Sequence, residues 1–75
     1  MQEVIHTVAD LIAALDGPTR TGALAGGASP QAVVNWRARN RIPPRAYFEL
    51  SRHVKAIGKR IDPALAGLPE METTD

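Results

Sequence analysis

All nine positively charged side chains of this 75-residue chain fall between residues 17 and 60, where Glu49 is the one acid. They are Arg20, Arg37, Arg39, Arg41, Arg45, Arg52, Lys55, Lys59 and Arg60, which gives that stretch a net charge of +8. Residues 1–16 carry Glu3, Asp10 and Asp16 for a charge of −3, and residues 61–75 carry Asp62, Glu70, Glu72 and Asp75 for −4. The overall +1 conceals a basic middle between acidic ends, which suits a local anionic partner better than a uniformly adhesive surface. Seven of the nine are arginines, whose planar fork fits phosphate oxygens better than an ammonium does.

Other chemistry is sparse. Cysteine is absent, so the chain has no disulfide framework, no thiolate metal site and no thiol nucleophile. Only His6 and His53 are of a type suited to proton transfer near neutral pH, and they lie in separate segments without an evident carboxylate partner. No nucleophile–base or metal-ligand spacing occurs, so the expectation is a non-enzyme with no metal, no cofactor and no evident small-molecule ligand. No apolar run approaches the roughly 20 residues needed to cross a bilayer. The start, "MQEVIHTVAD", carries acids instead of the basic opening of a signal peptide. A reducing, cytoplasmic setting without a membrane partner is the expectation.

The elements that must position the arginines are short helices cut by breakers. The first is expected near Thr7, which can cap it, with Asp10 at the third helical position. Val8, Leu11, Ile12 and Leu15 follow at i, i+3, i+4 and i+7, one core-facing stripe, and "DGP" at 16–18 stops it. A second helix is expected over about 19–25, weakened by Gly22, which costs about 1 kcal/mol relative to Ala. Gly26 and Gly27 make a turn, Ser29 caps a third helix, and Pro30 occupies its first position. That helix runs to about Arg39. A fourth runs from about Pro43–Pro44 to Ile57 with Tyr47, Leu50, Val54 and Ile57 inward, ended by Gly58. Asp62 and Pro63 open a last short helix.

No stretch alternates convincingly as a strand, so the spacing predicts an all-α fold, a compact bundle of about five short helices. Val4 and Ile5 could pair as a brief strand in a dimer. The organisation expected is an N-terminal extension over 1–6, one folded domain over 7–68, and an acidic, frayed tail over 69–75.

On the third helix, Val33 and Trp36 are i, i+3 and face the core. Gln31, Ala32, Asn35 and Ala38 are left on or near the opposite side. Gln31 and Asn35 stand one turn apart, and each carries an amide able to pair with the N6/N7 edge of adenine. Val34 borders that face, where it either touches a thymine methyl or is partly buried. Arg37 and Arg39 flank the face, Arg41 follows in the exit loop, and Arg45 opens the next helix, whose amide groups also favour a phosphate. Of the adjacent Tyr47 and Phe48, one must face inward and the other out.

Around the Gly turn, Ala23 lies four residues before Gly27, with Val33 and Trp36 six and nine after it. A small residue on the leading helix permits close approach, Gly27 accepts positive φ, and Val33 and Trp36 anchor the following helix. Residues 19–41, with "SPQAVVNW" followed by "RIP", resemble the helix-turn-helix of the Cro/repressor-type family of small phage and prophage-associated DNA-binding regulators. The flanking "VADLIAALDGP" and "NRIPPRAYFELSRHV" look like the neighbouring helices of its small members, so the resemblance covers about residues 7–57. Two positions depart from the family pattern: Gly26 and Gly22 stand where an apolar residue is usual.

The resemblance implies a bacterial or phage-encoded, sequence-specific transcriptional regulator, a repressor that binds a two-fold symmetric site on double-stranded DNA as a homodimer. Gln31, Asn35, Val34 and Ala32 would read bases, while Arg20, Ser29, Arg37, Arg39, Arg41 and Arg45 would hold phosphates. Ala23, Gly27, Val33 and Trp36 would form the core of the motif, and Phe48, Leu65 and Leu68 are candidate dimer contacts. The alternative is an antitoxin-like or adaptor module that uses the same fold to bind a protein.

Overall fold

The computed structural model describes residues 3–68. In chain order these form β1 (Glu3–Ile5), α1 (Val8–Ala14), α2 (Pro18–Leu24), α3 (Pro30–Arg39), α4 (Pro44–Ala56), β2 (Lys59–Ile61) and a closing 3-10 helix (Pro63–Ala66). α1, α3 and the 3-10 helix begin at the caps that the sequence offers, and α2 begins at Pro18, one residue before its expected start. Thr7 accepts a hydrogen bond from the Asp10 N–H at 3.1 Å, Ser29 does the same for Ala32 at 3.1 Å, and Asp62 for Ala64 at 3.0 Å. Proline fills an opening position of α2, α3, α4 and the 3-10 helix, where its missing N–H costs nothing.

The all-α expectation is corrected by the pair β1–β2. The strands are parallel, with Glu3, Val4 and Ile5 opposite Lys59, Arg60 and Ile61. A parallel pair needs a long crossover, and here all four α-helices supply it. Gly58, at φ +79°, turns the chain after α4, and the sheet places Ile5 and Ile61 in the core. Val4 and Ile5 therefore pair within the chain, and residues 3–5 of the expected N-terminal extension are part of the fold. The expected acidic tail over 69–75 lies outside the described residues.

The core draws on α1 and its cap with Val8, Leu11, Ile12 and Leu15, on the α2 cap with Ala25, on α3 with Val33 and Trp36, and on α4 with Ala46, Leu50 and Val54. Ile42, between α3 and α4, is 1% exposed, and its N–H donates to the Leu65 carbonyl at 2.8 Å, tying the 3-10 helix to the α3–α4 connection. One inward assignment and two outward ones need correction. Ile57 is exposed, because α4 ends at Ala56 and Gly58 turns the chain away before a neighbour can cover it. Leu65 is buried in the core and Leu68 packs half-buried against it, so neither is presented for a dimer. Phe48 is the outward member of the aromatic pair, 59% exposed, with its ring edge-to-face on the half-buried Tyr47 at 5.2 Å.

A junction that spacing did not suggest joins α3 to α1. Asn40 caps α3 in the left-handed conformation at φ +52°, and its Oδ1 accepts the Val8 N–H at 2.9 Å. One residue thus closes the end of one helix with its backbone and, with its side chain, satisfies an otherwise orphan donor at the start of another.

Candidate nucleic-acid interface

The α2–turn–α3 unit is held by backbone contact more than by side-chain bulk. Gly22 is buried on the inner side of α2, and a Cβ added there would stand 2.2 Å from the Ala28 carbonyl oxygen. The Gly22 carbonyl accepts from the N–H groups of Gly27 and Ala28 at 3.1 and 2.9 Å. Gly26 and Gly27 both take φ +93°, which lets the chain reverse inside this short span. Ala23, expected at the close approach, is instead exposed.

The close approach falls one residue earlier than expected. The small residue is Gly22, four before Gly26, and the residues preceding these two glycines are the fully buried Thr21 and the buried Ala25. With Gly22 and Gly26 as the two small residues, the apolar Ala25 precedes one and the polar Thr21 precedes the other. Thr21 satisfies its hydroxyl on the Gly17 carbonyl at 2.7 Å, which lets a polar residue occupy the buried site.

Val33, fully buried, and Trp36, 6% exposed, seat α3 against the core. That orientation leaves Gln31, Asn35, Arg37, Ala38 and Arg39 exposed. The Gln31 Nε2–H donates to Asn35 Oδ1 at 3.3 Å, so the two amides meet on the outer surface. Ala32 and Val34, assigned to base reading, are half-buried, and Ala32 packs against the core, so neither is fully presented. Ser29 is exposed, with its hydroxyl engaged as the α3 cap.

Arg20, Arg37, Arg39, Arg41 and Arg45 are all exposed. Among the described residues none has a carboxylate within ion-pair distance. The pairs that do form are Arg52 with Glu49 at 3.7 Å, Lys59 with Glu3 at 2.5 Å and His6 with Asp62 at 3.2 Å. His6 thus has the carboxylate neighbour that the sequence did not reveal. Lys59 holds the Glu3 carboxyl below its ordinary value, through their hydrogen bond first and its charge second. Asp62 is lowered chiefly by the Ala64 N–H and next by its bond to His6.

Arg45 opens α4 beside a groove of about 440 Å³ that Trp36, Gly26, Gly27, Pro43 and Pro44 also line. Pro43 and Pro44 offer no N–H, and Pro43 supplies no side-chain cap. Among the described residues the N–H groups of Arg45 and Ala46 have no acceptor, so the start of α4, beside this groove, carries positive partial charge. Arg41, which follows the α3 cap, has its guanidinium beside Gly67. Sequence reasoning missed Asn40, which fixes where α3 ends, and Gly22, which fixes how closely α2 approaches.

No protein-family model, curated protein or solved structure matches this chain. No helix among the described residues is long and apolar enough to cross a membrane.

Proposed function

We propose that this protein is a sequence-specific double-stranded DNA-binding regulator that uses α2–turn–α3 as a helix-turn-helix with α3 as the reading helix. The observation that carries the reading is the exposed α3 surface bearing Gln31 and Asn35, set among arginines that no described carboxylate neutralises. Uncompensated guanidinium groups on and beside one anchored helix favour a polyanion, and neutral amides between them can distinguish bases. The outer face is polar and partly small, as entry into a major groove requires.

In this reading Arg37, Arg39 and Arg45 hold backbone phosphates, Arg20 and Arg41 contribute at the margins, and Gln31 and Asn35 read base edges. Ser29 positions α3 through its cap. A single α3 reads only a few base pairs, so the regulator acts as a homodimer on a two-fold symmetric site, with repression by occlusion as its role. Phe48 is the exposed aromatic available to the dimer contact.

Selection of bound duplexes from a random pool tests the proposal. The expected result is a two-fold symmetric motif with half-sites centred about 34 Å apart. Absence of any enriched sequence, with binding equal on all duplexes, overturns it and leaves a protein-binding module as the better account of the same surface.

A further inference from the structure

The 3-10 helix delivers the chain to a fixed point beside the basic surface. The Leu65 carbonyl accepts the Ile42 N–H at 2.8 Å, the Leu68 N–H donates to the Pro63 carbonyl at 3.1 Å, and Leu68 packs half-buried against the core. The Arg41 guanidinium stands beside Gly67, with no carboxylate in ion-pair distance among the described residues. Immediately past Ile42, Pro43, Pro44 and Arg45 line the groove of about 440 Å³ together with Trp36 and the glycine turn. This groove is apolar apart from one guanidinium. Residues 69–75, which follow Leu68, carry Glu70, Glu72 and Asp75 and no cation, and Met71 lies between the two glutamates.

We propose that residues 69–75 dock in cis on this groove, with Met71 against Trp36 and the prolines, and Glu70 and Glu72 against Arg41 and Arg45. An acid–apolar–acid triplet complements an apolar groove with guanidinium groups beside it. Methionine is flexible and polarisable, so it fills an irregular space next to an aromatic ring. Reach is ample, since the six residues from Leu65 to Met71 span up to about 20 Å. The tether matters as much as the contacts. A segment joined to its own site meets it at an effective concentration in the millimolar range, so contacts too weak to hold a free peptide are still populated. The docked segment then competes with an outside polyanion for Arg41 and Arg45. The docking stands on the groove and the charges, whereas the competition with DNA rests on the reading of these arginines as phosphate contacts.

Trp36 is the chain's one tryptophan and reports on the groove. Its emission, and affinity for selected and scrambled duplexes, are measured on the full chain and on two variants, Glu70→Gln with Glu72→Gln, and Met71→Ser. Circular dichroism checks that the helices are retained. Both variants are expected to shift the emission and to bind both duplexes about 2- to 10-fold tighter, the gain from releasing a segment docked half to nine-tenths of the time. Met71→Ser alters no charge, so its gain distinguishes release of the segment from loss of diffuse repulsion. Unchanged emission in both variants overturns the docking. An emission difference that grows with protein concentration overturns it too, because the segment then belongs to a second copy. Shifted emission with unaltered duplex affinity overturns the competition. Shifted emission in a protein that binds no duplex removes the DNA reading and leaves the docking in place.

Discussion

Gly22 and Ala28 stand so close across the α2–α3 turn that a single methyl group on Gly22 would come 2.2 Å from the Ala28 oxygen. No real Cβ sits that near a carbonyl, and the obstacle is backbone, so relief requires α2 and α3 to separate. The same oxygen belongs to the turn whose N–H groups are fastened to the Gly22 carbonyl. Separation would therefore also strain those two hydrogen bonds.

The first prediction contrasts neighbours. On propensity alone, Gly22→Ala should stabilise α2 by about 1 kcal/mol. Against the Ala28 carbonyl it should instead destabilise the protein by about 1–3 kcal/mol, the ordinary cost of overpacking. Ala23→Ser, one residue on and exposed, should stay within about 0.5 kcal/mol of the unsubstituted protein. Thermal melting of both reports the sign directly. A stabilised Gly22→Ala would place the close approach elsewhere.

These neighbours also show how far the sequence could be read. Helix starts were legible, because Thr7, Ser29 and Asp62 each sit before a residue whose N–H they accept, and such chemistry is local. Burial of Val33 and Trp36 was legible from their i, i+3 spacing. The α2 register was not, since "TRTGALAGG" holds several small residues and two adjacent glycines, and small residues carry no periodic signal. The sheet was hidden for a different reason. Each strand has three residues, too few for alternation to stand out, and pairing of Ile5 with Ile61 depends on the whole helical body lying between them. Among the candidate site residues, the exposed arginines and amides followed from the α3 periodicity. The capture of Val8 by Asn40 is a contact across 32 residues, which no local pattern encodes.

Asn40 carries the second prediction. Its side chain bonds the Val8 N–H while its backbone holds φ +52°, and two substitutions separate these roles. Asn40→Gly keeps the left-handed turn accessible and loses only the bond, for about 1 kcal/mol. Asn40→Ala loses the bond and adds left-handed strain of about 1–2 kcal/mol, so it should melt lower than Asn40→Gly. Equal melting of the two would mean that the backbone conformation is unstrained there.

The acid limb of stability supplies a third. The Asp62 carboxyl is held below its ordinary value by the Ala64 N–H first and by His6 next. A carboxylate lowered by folding adds stability that is fully present above its unfolded value, about 3.9. That contribution is lost as pH falls through the lower folded value. Stability should therefore decline below about pH 4, and Asp62→Asn should flatten the decline while retaining a capping side chain. Urea midpoints measured between neutral and acidic pH check this, and superimposable acid limbs for the two proteins would refute it.

The last prediction separates the arginines by their surroundings. Arg37, Arg39 and Arg45 are exposed without a described carboxylate partner, whereas Arg52 lies 3.7 Å from Glu49 on α4. If the first three neutralise DNA phosphates, each release of condensed counterions adds to the salt dependence of binding. Replacing any one by Ala should flatten the slope of log K against log salt by about 0.9. The losses should be alike on selected and scrambled duplexes, because a phosphate carries no sequence. Arg52→Ala should leave the slope nearly unchanged, since this guanidinium already faces an acid and lies outside the proposed contact set. Titrations over a salt series with the four variants measure both quantities at once. A slope that falls equally for Arg52 would mean that diffuse positive charge, and not the surface around α3, governs attraction to DNA.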